Sequence, residues 1–155
     1  MPNYTNTSVF ECKYELDSLA AFLQISAEYY NATNDITFFQ RFQWSDAIEA
    51  VLNVAEAMMT PTYAANGSVN ISPYTFTRQT NRASETLENN GLGNPVQAGT
   101  GLIRSAFRPS DDATIFQLFV PANMLFARYL ESCAAIMAKI SGCSDTASKM
   151  TSLSS

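Results

Sequence analysis

The stretch GLIRSAFRPSDDATIFQLFVPANM, residues 101–124, decides how the rest of the chain is read. It opens apolar, passes through Arg104 and Arg108, turns at Pro109 and Ser110, and then presents two adjacent acids, Asp111 and Asp112. Beyond them Ile115, Phe116, Leu118 and Phe119 recur at helical spacing, which predicts a loop that becomes a helix at the two carboxylates. On that reading Ser110 caps free backbone N–H groups, and the helix dipole favours negative charge in the first turn. A capped helix start would account for the SDD triplet by itself.

Downstream, Pro121 suits the first position of a helix, where its missing N–H costs nothing. The stripe Leu125, Tyr129, Leu130, Cys133, Ile136, Met137 and Ile140 carries that helix to Ser141 and Gly142, with Lys139 in the last turn. The polar tail, residues 144–155, is expected to fray. Upstream, Leu16, Leu19, Leu23, Ala27 and Tyr30 mark a helix over residues 15–30, with Asp17 and Ser18 in its first turn. A short piece begins near Asp35 and runs through Phe38, Phe39 and Phe42. A longer helix over residues 45–59 follows, striped by Ile48, Val51, Leu52, Ala55, Met58 and Met59. Two helices joined by a few polar residues form an antiparallel hairpin. Residues 60–100 show no helical period; they hold glycines, prolines and a single strand-like alternation over residues 74–78.

Composition removes several classes of function. The net charge of −5 argues against a nucleic-acid partner, whose phosphates need a basic face. No apolar run approaches the roughly 18 residues of a membrane span, and the first residues lack the pattern of a signal peptide. The sequence has no histidine, which excludes His-based triads and His-ligated zinc. The three cysteines, Cys12, Cys133 and Cys143, show no metal-ligand spacing, and Cys133 reads as core filler on a helix. No phosphate loop or EF-hand spacing occurs, so neither metal nor cofactor is expected. Asn-X-Ser/Thr triplets occur at Asn3, Asn6, Asn31, Asn66 and Asn70, where composition would supply roughly two or three. That excess points to the secretory pathway or the cell exterior. Carboxylates remain for acid–base work, and glycoside hydrolysis is the common reaction that needs nothing else.

The run RSAFRPSDDA followed by PANM resembles the characteristic stretch of glycoside hydrolase family 125, the metal-independent exo-acting α-1,6-mannosidases, in its fungal form. KYELDSL at residues 13–19 and SPYTFTRQTNRASETLENNGLG at residues 72–93 agree with the same family, in its order. The resemblance implies an all-α fold, part of an (α/α)6 barrel, and hydrolysis of a terminal α-1,6-linked mannosyl residue with inversion. The substrate would be an α-mannoside or a mannose-containing glycan. Twelve helices of about 11–12 residues plus connections exceed 155 residues, so residues 1–155 are expected to be a central fragment of one catalytic domain.

By the same resemblance Asp111 is the general acid. As neighbours on a helix start, Asp111 and Asp112 would point roughly 100° apart and do not suit the spaced pair of an inverting enzyme. Asp112 and Arg108 are substrate-binding candidates. The acid's pKa must be raised by burial, a like charge or both, with Asp112 one candidate source, while Arg108 would keep the site tolerant of negative charge or bind sugar hydroxyls. Tyr14, Glu15 and Asp17, at the entrance to the first helix, are sugar-binding candidates; alternatively Asp17 serves the helix start and Glu15 pairs with Lys13 or an arginine. Residues 60–100 read as an ordered wall of the sugar site. The family's catalytic base is a glutamate far downstream of SDD, with no counterpart here, and its Trp-Leu-Arg-Asp stretch is also missing. The chain is therefore expected to be inactive alone. The alternative is a non-catalytic helical fragment or pseudo-enzyme that binds sugar or packs with another chain.

Overall fold

The structure, a computed structural model, describes residues 13–72 and 74–155. The triplets at Asn3 and Asn6 and the thiol of Cys12 lie outside the described residues. Those described are helical and irregular, with isolated bridges in place of strands. Backbone contacts divide the chain into two compact units. Among the described residues, one comprises residues 13–15 with 57–120, and the other residues 16–56 with 121–155.

The second unit is built of helices. Helix α1 (Leu16–Thr33) buries Leu16, Ala20, Leu23 and Ala27, one face at intervals of three and four. Asp35 caps α2 (Ile36–Arg41) by accepting from the backbone N–H of Thr37 and Phe38, as the expectation of a new element at Asp35 requires. Helix α3 (Trp44–Met58) buries Ile48, Val51, Leu52 and Ala55. The single turn α4 (Glu88–Gly91), left-handed at Asn89 and Asn90 (φ 53° and 54°) and so not a right-handed helix, belongs to the other unit. Helix α5 (Val120–Met137) sets Pro121 at its start and buries Phe126, Leu130, Cys133 and Met137.

Polar contacts pin these helices at fixed heights. The Trp44 indole N–H donates to the Ser26 hydroxyl at 3.0 Å, and the Cys133 thiol to the Leu23 carbonyl at 3.3 Å. Burial pushes the Cys133 thiol up to about 12, so it stays neutral and behaves as the small apolar residue that the sequence implied. One expectation fails. The tail forms helix α6 (Ser144–Leu153), because Ala147 and Met150, three residues apart, are both buried.

An apolar groove of about 440 Å³ runs along this unit, lined by Phe22, Ile25, Tyr29, Phe38, Phe42 and Trp44. No helix of the described residues is long and apolar enough to cross a membrane.

The first unit is mostly loop, as its glycines and prolines imply, and it is ordered by hydrogen bonds between distant residues. Thr62 N–H donates to the Val96 carbonyl, Phe76 N–H to Gly91, and Ala113 N–H to Ser84. The alternation over residues 74–78 does not form a strand. Its inward residue Phe76 joins Ala106 and Phe107 in a small apolar cluster, against which Leu87 and Ala113 pack. Gly91 is required here: its φ is +85°, and a Cβ would lie 2.9 Å from the Phe76 backbone nitrogen.

Candidate functional site

Residues 105–117 form a hairpin. Ser105 N–H donates to the Gln117 carbonyl, Thr114 N–H to Ala106, and Arg108 N–H to Asp112, which sets Phe107 opposite Ala113. At the tip Asp111 N–H returns to the Arg108 carbonyl at 2.8 Å, closing a four-residue turn around Pro109 and Ser110.

This overturns the expected helix start at SDD. Asp111 has φ +68°, a left-handed backbone that cannot continue into a right-handed helix, and the next helix begins only at Val120. Ser110 caps nothing; its hydroxyl donates to Asp112 Oδ2 at 3.2 Å. The apolar residues after SDD do not form a helix face either, since Ile115 and Phe116 are exposed.

Each of the two carboxylates has a cationic partner. Arg108 Nη2 lies 3.6 Å from Asp112 Oδ2, across the base of the turn. Asp111 Oδ1 accepts from the Lys13 ammonium. The two ends of that contact differ: the Lys13 side chain is 5% exposed and that of Asp111 61%. Lys13 also faces Glu15 at 3.6 Å and stands over the rings of Phe107 and Phe76, 4.5 Å and 5.6 Å from their centroids. The expected Glu15–Lys13 pairing is thus present. Asp112 ion-pairs with Arg108 and does not act alone as the like charge beside Asp111.

Tyr14 stacks on Tyr74 at 5.6 Å, and both line a small crevice with Phe76, Phe107 and Arg104. Arg104 is buried and donates from Nη2 to the Thr62 hydroxyl at 3.1 Å. Burial lowers its pKa from the ordinary guanidinium value, and the electrostatic effect of nearby Tyr14 opposes that. Asp17 belongs to the helical unit, in the first turn of α1, where its Oδ1 is buried with no hydrogen-bond partner among the described residues. The structure therefore groups Tyr14 and Glu15 with Asp111, through Lys13, and sets Asp17 in the other unit.

Two residues escaped the reading of the sequence as site members. Lys13 meets Asp111 across 98 positions of chain, a contact no local pattern signals. Gln117 is 2% exposed, and neither polar atom of its carboxamide has a partner among the described residues. It lies across Gly93 so closely that a Cβ there would come within 1.7 Å of its Nε2. It lines a cavity of about 300 Å³ with Ser84, Thr86, Glu88, Asn94 and Thr114.

The family profile described as metal-independent alpha-mannosidase (GH125) matches residues 1–155. The chain belongs to glycoside hydrolase family 125. The meiotically up-regulated gene 157 protein of Schizosaccharomyces pombe is 46% identical over 125 residues, which are 80% of this chain and 24% of the relative. A solved family 125 structure is that of a Streptococcus pneumoniae metal-independent alpha mannosidase, in a non-productive complex with α-1,6-mannobiose. It matches with a TM-score of 0.79 and 30% identity, covering 94% of this chain and 32% of that one. The fold is accordingly all-α, part of the family's (α/α)6 barrel. The chain spans about a quarter to a third of the length of these two relatives.

Proposed function

We propose that residues 1–155 are the part of an inverting exo-α-mannosidase domain that carries the general acid, and that the domain removes terminal α-1,6-linked mannose from glycans. The observation that carries this reading is Asp111. It stands solvent-accessible at the tip of a hairpin, in a left-handed conformation unusual for a residue other than glycine, where the surrounding structure over-determines it. Two further features support it. A cavity of about 300 Å³ lined by Ser84, Thr86, Glu88, Asn94 and Thr114 carries polar groups suited to sugar hydroxyls and is roomy enough for a pyranose ring. The apolar groove of the helical unit suits a further helix of the same domain.

In the reaction Asp111 gives its proton to the glycosidic oxygen as the C1–O bond breaks. Water attacks C1 from the opposite face and passes its proton to a second carboxylate. By resemblance that base is a glutamate outside these 155 residues, so the isolated chain has no turnover. The triplets at Asn31 and Asn66, both exposed, fit passage through the secretory pathway.

The test compares the 155-residue chain with the domain completed to the family's length, on α-1,6-mannobiose, with the first anomer of released mannose read by NMR. The completed domain should release the β-anomer first, and the chain alone should not exceed the uncatalysed background. Asp111→Asn should lower kcat by about 10²–10⁴-fold, and by less on an aryl mannoside whose leaving group needs little protonation. Asparagine tolerates the left-handed backbone, so the fold is kept. An unchanged kcat on mannobiose would remove Asp111 from the role and move attention to Asp112. Binding of mannobiose with no turnover by the completed domain would favour the pseudo-enzyme.

A further inference from the structure

We propose that Lys13 is a positioning residue for the general acid: it holds one oxygen of the Asp111 carboxyl and, through its charge, sets the alkaline limit of activity. This rests on the reading of Asp111 as the acid.

The geometry gives Lys13 little freedom. Its stem is buried, and its ammonium is held between the faces of Phe107 and Phe76 and the carboxylate of Glu15. Those two rings meet edge to face at 5.4 Å within the buried cluster, so they cannot easily move away. An ammonium so anchored offers Asp111 a fixed donor. Asp111 is fixed from its own side by the turn hydrogen bond to Arg108 and by its left-handed backbone. With Oδ1 committed to Lys13, Oδ2 is left to carry the proton that the leaving oxygen needs.

The charge has a second consequence, with a definite sign. A neighbouring cation favours the ionised carboxyl, whereas the acid must be protonated to act. Among the described residues, charges near the pair include Glu15 beside Lys13, Arg108 and Asp112 in the hairpin, and Arg78, 5.7 Å from the Phe76 centroid. Glu15 draws off part of the Lys13 field, and Arg108 and Asp112 offset each other. The charge in direct contact with Asp111 is the ammonium. As pH rises, kcat/KM is lost when the free enzyme's acid gives up its proton, so Lys13 makes that loss occur earlier.

The experiment measures kcat/KM against pH for Lys13→Met and Lys13→Arg in the completed domain, on α-1,6-mannobiose and on an aryl mannoside with a good leaving group. Lys13→Met keeps most of the apolar stem and removes the charge. Its alkaline limb should move to higher pH, and kcat on mannobiose should fall on the order of 10- to 100-fold, the usual cost of a misplaced catalytic group. The fall should be smaller on the aryl substrate. Lys13→Arg keeps the charge and the aromatic contacts, so its limb should stay with the wild type.

A Lys13→Met limb that coincides with the wild type, with equal losses on both substrates, would reduce Lys13 to a structural lysine. Should Lys13→Met fail to fold, a displaced limb in Lys13→Arg overturns the proposal and a retained one supports it. Failure of the underlying reading looks different: the wild-type domain is then inactive, or Asp111→Asn leaves its kcat unchanged, and the role assigned to Lys13 falls with it.

Discussion

The helical unit and the loop unit are held together by different physics. In the helical unit the buried residues are almost all apolar and recur on one face of each helix, so stability is spread over many individually small contacts. In residues 57–120 the order comes from single hydrogen bonds between distant residues and from backbone conformations few residues adopt. Apart from Asn34 and Gly142, every described residue with positive φ lies there. A stripe of apolar side chains can fix helices but cannot aim one carboxyl. A turn closed on its own backbone, with a charge anchored on two rings, can. That is why Asp111 and Lys13 both belong to the loop unit, and why the two regions should respond differently to mutation.

The largest expected effect on stability lies in the helical unit. Phe126 is 1% exposed, on α5. Truncation to alanine leaves a cavity among helices that can close only in part, and should cost about 3–5 kcal/mol in urea unfolding. A loss below about 1 kcal/mol would mean that the helices collapse onto the gap, and the contrast between a tightly packed unit and a hydrogen-bonded one would fail.

Next come two glycines of the loop unit. Gly91→Ala imposes a left-handed alanine, about 1–2 kcal/mol, and adds the 2.9 Å approach to the Phe76 nitrogen. Gly67 has almost the same φ, +82°, with nothing within 4 Å of its Cβ position, so Gly67→Ala should cost the backbone contribution alone. The difference between the two melting temperatures isolates the close approach. Equal losses would show that the Phe76 backbone moves aside, and that the loop is less closely determined than its hydrogen bonds imply.

The same division explains what could be read from the sequence. Helices α1, α2, α3 and α5 were legible because a packed helix repeats its apolar residues, and because Asp35 and Pro121 are start signals with local causes. Helix α6 was not, since two buried residues among serines and threonines make no stripe. The hairpin at SDD was misread for a physical reason. Ile115, Phe116, Leu118 and Phe119 have helical spacing, but the backbone N–H groups of Ser105, Arg108, Ala113 and Thr114 go to Gln117, Asp112, Ser84 and Ala106, partners with no periodic signature. Arg108 with Asp112, and Glu15 with Lys13, could be anticipated from nearness in sequence. The contact of Lys13 with Asp111 and the seating of Gln117 on Gly93 are tertiary and could not.

The smallest effect is expected back in the helical unit, where one polar residue does a job that elsewhere in that unit falls to packing. Asp35 Oδ1 accepts from the N–H groups of Thr37 and Phe38 and from the Thr37 hydroxyl. The hydroxyl is the main reason its pKa lies below the usual 3.8, with desolvation opposing and the two N–H groups and Arg41 adding to it. A carboxyl depressed by folding stabilises above its unfolded pKa, and that contribution is lost as pH falls through the lower folded value. Asp35→Ala should therefore lower the melting temperature slightly at neutral pH and flatten its fall below about pH 4. Asp35→Asn should keep nearly the wild-type melting temperature at neutral pH, because an amide oxygen still caps, yet lose the same acid sensitivity. If Asp35→Ala melts with the wild type at every pH, the cap contributes nothing measurable and α2 is held by packing, with Phe39 its buried residue.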